Sequence, residues 1–407
     1  MRNARTIFLF IFSIFFVIAV LGGLFWANLN LINHVPGGAD FIVPWKAMQN
    51  FMMSGVTPYG EFTVLNIQTL IYNHPLAKGD FPYNVNVPLY MLMLYIPFAW
   101  IKNLAVARAI WMIFLELGLI AVVYISLRLA RWKQNWIFLL TVLFFSAFWL
   151  PSITMLLTST AIILQALVLF GALRSIELGS DEFGGALAAL GLLNIEATGL
   201  VFVALIVWIF STQRWRVLGG IVMMLGVLLG LSFLLFPGWV VPFLTAAISN
   251  WQSGLIPSTF SILEGWLPGI GHRLAEILAA AALSLILIEW WAVRGRNIRW
   301  LFWTACFTAA VTPLLGVPYF PSWLVFTLPG ILLIVSSMIQ RWGLLGFGSS
   351  ILVLVVVFLG LWAAFENQIT SAFIFFYPLG LTLLLYWVRW GAVHQPRMWA
   401  DEVMLRR

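Results

Sequence analysis

The chain has 407 residues, 63% of them apolar and only 9% charged, with a net charge of +7 and a mean hydropathy of +1.02. A soluble domain of that composition would expose mostly hydrocarbon, so a water-soluble protein is excluded and an integral membrane protein is expected. Cys306 is the only cysteine, which excludes an intramolecular disulfide and any cysteine-based metal or redox motif. The basic residues cluster between apolar runs ("MRNAR", "TQRWR", "RGRNIR", "IQRWG" and the arginine-rich tail), a positive-inside distribution rather than a nucleic-acid footprint.

A membrane span needs about 20 mostly apolar residues, and such runs recur from end to end. They predict an all-α, polytopic transmembrane helical bundle of about 11 to 12 spans, forming one domain over residues 1–407. The first run, "IFLFIFSIFFVIAVLGGLFWANL", is long for a signal peptide and lacks a small-x-small cleavage site, so it reads as an uncleaved span. Arg2 and Arg5 then hold the N-terminus on the cytoplasmic side, which puts a first large loop, residues 28–85, outside.

Within that loop Phe41, Pro44, Trp45, Met48, Phe51, Met52 and Gly55 recur at spacings of three and four, with Lys46, Gln49, Asn50 and Ser54 on the other side. The pattern predicts an amphipathic helix near 41–54 lying in the membrane interface. Asp40 precedes it as an N-cap, Pro44 sits in its first turn and Gly55 ends it. Asp40 carries two compatible readings: a helix cap, and a carboxylate held at the membrane surface as a general base.

The middle of the chain, residues 100–185, fits the charge rule less well. If every run crosses once, "RLARWKQ" falls outside, so one of "VPLYMLMLYIPFAWI" and "WIFLLTVLFFSAFWL" is expected to be incomplete or re-entrant. Glu116 and Glu196, the latter beside Asn194, are acids within apolar runs, a placement that by default points to function. Further along, a span at 217–236 leads into a second large outer loop, residues 237–273. Spans at 274–293, 323–339, 344–364 and 372–388 then alternate with "RGRNIR", Arg341 and the tail residues Arg406 and Arg407 on the inner side. Both large loops therefore share the outer face.

The order of a first span, "ADFIVPWKAMQNFMMSGVTPYG" and "YNVNVPLYMLMLYIPFAWI" resembles the membrane-embedded glycosyltransferases of the GT-C class. It is most similar to glycosyltransferase family 87, the polyprenol-phosphate-mannose-dependent mannosyltransferases. "LLTSTAIILQALVLFGALRS", "GGALAALGLLNIEATGLVF", "IPSTFSILEGWLPGI" and "AAVTPLLGVPYFPSWLVFTLPGILLI" follow in the family's order, the likeness running to about residue 340. Where the family has Gly-Gln this chain has Thr158-Ser159, and where it has Lys-Pro this chain has Glu196-Ala197. The resemblance implies a GT-C-like fold and an inverting transfer of a hexose, mannose in the family, from a polyprenyl phosphate to an acceptor hydroxyl, with Asp40 as the base.

Such a transfer also needs cations or N–H and O–H donors at the departing lipid phosphate. The outer-face candidates for donor-phosphate or substrate binding are Lys46, Lys78, His272, Arg273 and Tyr319. Each has a plainer reading: Lys46 snorkelling to headgroups, Lys78 solvated, and "GHR" at 271–273 marking the interface. Asp80 is read as a metal or acceptor ligand or as a solvated turn, and the lack of a second acid at ligand spacing favours the turn; no cofactor is named and metal dependence stays open. The expected partners are a lipid-linked sugar donor, a glycan or glycolipid acceptor and the bilayer, not nucleic acid. The expected location is the cell (inner or plasma) membrane, multi-pass, with the N-terminus cytoplasmic. The competing reading, a secondary transporter or lipid flippase, would use Glu116, Glu196 and Glu289; against it, the richest polar sequence lies in the two outer loops.

Overall fold

Backbone groups in hydrocarbon must be satisfied within their own segment, so apolar runs of this length become helices. A computed structural model describes residues 2–74, 76–132, 136–193, 195–252, 256–367 and 370–394, and shows helices with no strand among them. The helices are α1 (Arg2–His34), α2 (Ala39–Ser54), α3 (Glu61–Tyr72), α4 (Leu89–Leu92), α5 (Ile96–Ala99), α6 (Leu104–Leu129), α7 (Trp136–Phe148), α8 (Leu150–Thr158) and α9 (Ile162–Glu177). They continue as α10 (Asp181–Leu190), α11 (Ile195–Thr212), α12 (Trp215–Leu235), α13 (Val240–Gln252), α14 (Thr259–Trp266), α15 (Gly271–Ala292), α16 (Ile298–Val311), α17 (Leu328–Glu366) and α18 (Thr370–His394). Arg406, Arg407 and Asn194 lie outside the described residues, as do the side chains of Arg2, Arg5 and Glu196.

Seven helices among the described residues are long and apolar enough to cross a bilayer, eight spans if α7 and α8, bent by 48°, count as one. The chain is thus a multi-pass helical membrane protein. The count stays below eleven because several apolar runs do not cross singly. "VPLYMLMLYIPFAWI" is broken into α4, a 3-10 turn and α5, with Pro97 at the start of the last piece. Pro151 stands just inside α8, where it ends α7 and redirects the chain. Conversely α17 holds two antiparallel arms: Gly343 leaves helical geometry (φ 56°, ψ −120°), and the Ser350 hydroxyl donates to the Val335 carbonyl at 3.3 Å across the hairpin.

Contacts sort the helix ends onto two faces. On one, Glu177 gathers Arg174 at 2.6 Å, Arg299 at 3.6 Å and Arg131 at 3.8 Å, and Arg214 pairs with Asp181 at 3.0 Å. Arg131, the residue that defied simple alternation, therefore lies with the other arginines. The chain from α2 to α5 stays on the opposite face, so α6 runs from that face down to Arg131. Helix α10 starts and α11 ends at the arginine face, where Asp181 pairs with Arg214 at the N-cap of α12. Ten residues of α10 rise roughly 15 Å, about half a bilayer. Its close packing on α12 depends on small residues: a methyl at Gly185 would lie 2.0 Å from the Val217 carbonyl oxygen.

The two large loops meet on the other face. Asn84 donates to the Ser249 hydroxyl at 3.2 Å, and Asn250 donates to the Asn84 carbonyl at 3.0 Å. Tyr90 and Trp239 stack edge to face with centroids 6.1 Å apart.

Of the intramembrane acids, Glu289 on α15 is buried and bonded to Arg389 and to the Tyr386 hydroxyl, the latter at 2.8 Å. Arg389 also lies over the Trp300 and Trp303 rings, 5.3 and 5.1 Å from their centroids. This is an ion pair that ties α15 to α18, rather than a free proton carrier. Glu289→Gln should leave Arg389 without its counter-charge and lower stability by about 3 kcal/mol. Unfolding of the detergent-solubilised variant is the measurement, with Glu289→Gln/Arg389→Met expected to recover much of the loss.

Candidate active site

The helix expected near 41–54 is α2, ended as anticipated by Gly55 in a left-handed conformation (φ 64°). Its surroundings differ from the expectation of a helix lying on the surface. Gln49 and Asn50 are buried along with Phe41, Trp45 and Met48, because the neighbouring segments supply polar partners. Asn50 reaches the Thr63 hydroxyl at 3.4 Å, Gln49 reaches the Ala99 carbonyl at 3.5 Å, and Trp45 donates to the Phe98 carbonyl at 2.9 Å. The Phe41 ring sits 5.8 to 6.2 Å from those of Trp45, Tyr95, Phe98 and Trp111. Pro44 is the sixth helical residue, so the Asp40 carbonyl receives no N–H from it.

Asp40 is not the N-cap. That position is Gly38, and no side chain caps this helix. The Asp40 carboxylate instead faces the side chains of Thr158 and Thr160, at the turn that joins α8 to α9. Asp40 keeps partial exposure, but protein atoms crowd its carboxylate. Desolvation pushes its pKa up to about 6, and the two threonine hydroxyls offset only part of that rise.

The turn carrying those threonines is clamped from α6. Ser159 takes a left-handed conformation (φ 59°) and closes α8. Buried Arg108 donates to the Ser159 hydroxyl at 3.0 Å and to the Leu157 carbonyl at 2.7 Å, and Trp111 donates to the Ser159 carbonyl at 2.9 Å. A cation at a helix C-terminus complements the carbonyl dipoles there. No carboxylate lies within ion-pair distance of Arg108 among the described residues. Its guanidinium lies beneath the Gly37–Gly38 backbone, so that a methyl on Gly38 would fall 2.4 Å from Nε. The start of α2, the end of α8 and the start of α6 thus come together, with the Asp40 carboxylate near Thr158 and Thr160 and the Arg108 guanidinium under Gly37 and Gly38.

Tyr83 adds a strained neighbour, held at φ 44°. Burial raises its phenol to about 12, and the nearby Tyr72 and the Asp40 charge act in the same direction.

The other candidates named from the sequence are not gathered here. Lys46 donates to Gln49 at 2.8 Å and lies 5.9 Å from the centre of the Trp45 ring, with its pKa lowered by burial. Lys78 and Arg273 are exposed. His272, also exposed, stands 3.5 Å from Glu276 and 3.9 Å from Glu264. Tyr319 is buried and donates its hydroxyl to the Trp323 carbonyl at 3.2 Å; burial pushes its phenol pKa far up. No group of three or more His, Cys, Asp or Glu side chains suited to a metal occurs among the described residues.

The chain matches no protein-family model, no curated protein and no solved structure. The site is therefore read from its own geometry. Sequence reasoning missed Arg108, Thr158 and Thr160 as partners of the site. Arg108 had a signal, an arginine within the apolar run "AVARAIWMIFLELGLIAVV". Thr158 and Thr160 had none beyond the Thr158-Ser159 departure, because ordinary threonines become informative only when a carboxylate is found between them.

Proposed function

We propose that this protein is a membrane-embedded inverting glycosyltransferase of GT-C type. It moves a hexose, mannose by the family resemblance, from a polyprenyl-phosphate donor to an acceptor hydroxyl. The observation that carries the reading is the environment of Asp40. Hydroxyl attack at an anomeric carbon requires a base whose pKa lies near the working pH, and a carboxylate raised to about 6 by desolvation is suited to that task. Thr158 and Thr160 flank it, and Arg108 clamps the turn that carries them. With the arginine face cytoplasmic by the positive-inside rule, Asp40 lies at the outer side of the cell membrane, where lipid-linked sugars rather than nucleotide sugars are the available donors. Glu289 is engaged by Arg389, which removes one of the acids on which a transport reading relied.

The test is transfer by the purified protein in nanodiscs, offered a panel of labelled polyprenyl-phosphate hexoses and glycolipid or saccharide acceptors. Transfer from a lipid-linked donor is expected without any nucleotide sugar. Asp40 is active when ionised, so the rate should fall tenfold per pH unit below about 6 and level off above it. Turnover that needs a nucleotide sugar, or no transfer across the whole panel, would overturn the reading.

A further inference from the structure

A groove of about 640 Å³ lies between α3 and α13, on the face that carries Asp40. That volume is in the range of small-molecule sites. Its lining is mainly hydrocarbon, from residues such as Val64, Val85 and Pro242, with polar groups contributed by Glu61, Asn84 and Thr245. Three features define what it would hold. First, polar groups and hydrocarbon alternate along both α3 and α13, so the hydroxyls and the C–H face of a sugar ring each find a partner. Second, the one charged lining residue is Glu61, which has no side-chain partner among the described residues. A carboxylate without a nearby cation repels a phosphate and accepts paired hydrogen bonds from neighbouring hydroxyls. Third, the groove opens on the same face as Asp40, with its lining residues Asn84 and Val85 on the outer loop that follows α3.

We propose that this groove is the acceptor subsite, binding a neutral, hydroxyl-rich saccharide and presenting its end to Asp40. The proposal rests on the glycosyltransferase reading for the word acceptor, while saccharide binding itself is independent of it. The two loops that build the groove are locked together by the Asn84–Ser249 and Asn250–Asn84 hydrogen bonds, so it is preformed. α13 exposes Leu244 and Ile248 beside the groove, so one wall borders the lipid and a saccharide on a lipid anchor would have access.

Because Cys306 is buried and the only cysteine, Ser249→Cys in the full-length protein introduces one reachable thiol. Mannotriose at millimolar concentration is expected to slow maleimide labelling of that thiol at least threefold, and polyprenyl phosphate in the same nanodiscs is expected to leave it unchanged. Thr245→Trp, which fills the groove from an exposed position, should raise the acceptor KM at least tenfold while the donor KM holds. Protection by polyprenyl phosphate but not by mannotriose would overturn the proposal, as would an acceptor KM unmoved by Thr245→Trp. Mannotriose protection in a protein that transfers no sugar would uphold saccharide binding and sink the enzymatic reading; transfer without protection would do the reverse.

Discussion

Asp40→Asn is expected to reduce sugar transfer by about 10² or more while making the protein more stable at neutral pH. The substitution keeps the size of the side chain and leaves the amide able to bond Thr158 and Thr160, but removes the proton acceptor. No cap is lost, since Gly38 holds the N-cap position. The stability change follows from the direction of the pKa shift. The folded-state value, about 6, lies above the ordinary 3.8, so the unfolded chain ionises first as pH rises. The native state is therefore progressively disfavoured between pH 3.8 and 6, and above that range the disadvantage is complete, about 3 kcal/mol for a shift of this size. Asp40→Asn removes it. Its melting temperature should exceed that of the parent at pH 7.5, with the difference closing near pH 4. A variant that transfers sugar at the parent rate would remove Asp40 from the chemistry. A variant less stable than the parent at pH 7.5 would show that the threonine hydroxyls outweigh the cost of burying the charge.

Gly38→Ala should be the most damaging single-methyl change at this site. Gly38 has φ 86°, where an L-residue costs about 1–2 kcal/mol. Beyond that, the new Cβ would lie 2.4 Å from Arg108 Nε, 2.7 Å from Cζ and 2.8 Å from Cδ. Arg108 cannot move aside without releasing the Ser159 hydroxyl and the Leu157 carbonyl, and so freeing the turn that places both threonines on Asp40. A loss of about 3 kcal/mol or more is expected from strain and a broken buried hydrogen-bond network together. Gly55→Ala separates the two contributions, because Gly55 is also left-handed, at φ 64°, yet nothing lies within 4 Å of its Cβ position. It should lose only the backbone part. Equal melting temperatures for the two variants would show that Arg108 yields to the methyl group.

The sequence by itself determined that this is a helical membrane protein, because apolar runs without charge leave the backbone only one way to satisfy itself in hydrocarbon. It also located α2 and its end, since the spacing of Phe41, Trp45 and Met48 and the glycine at position 55 are local signals. It marked Asp40 for two roles, helix cap and general base, and the backbone gave the cap position to Gly38 instead.

What only the tertiary structure decided are the pairings between residues distant in the chain. Whether Asp40 meets water or Thr158, whether Glu289 is free or bonded to Arg389, and which face Arg131 occupies all depend on how helices of nearly uniform composition pack. In a lipid-soluble chain hydrophobic periodicity carries little of that information, because lipid and helix neighbours are equally apolar. The bends at Pro151 and Gly343 decide it instead, and so do the few buried polar side chains, whose hydrogen bonds can be met in only one arrangement.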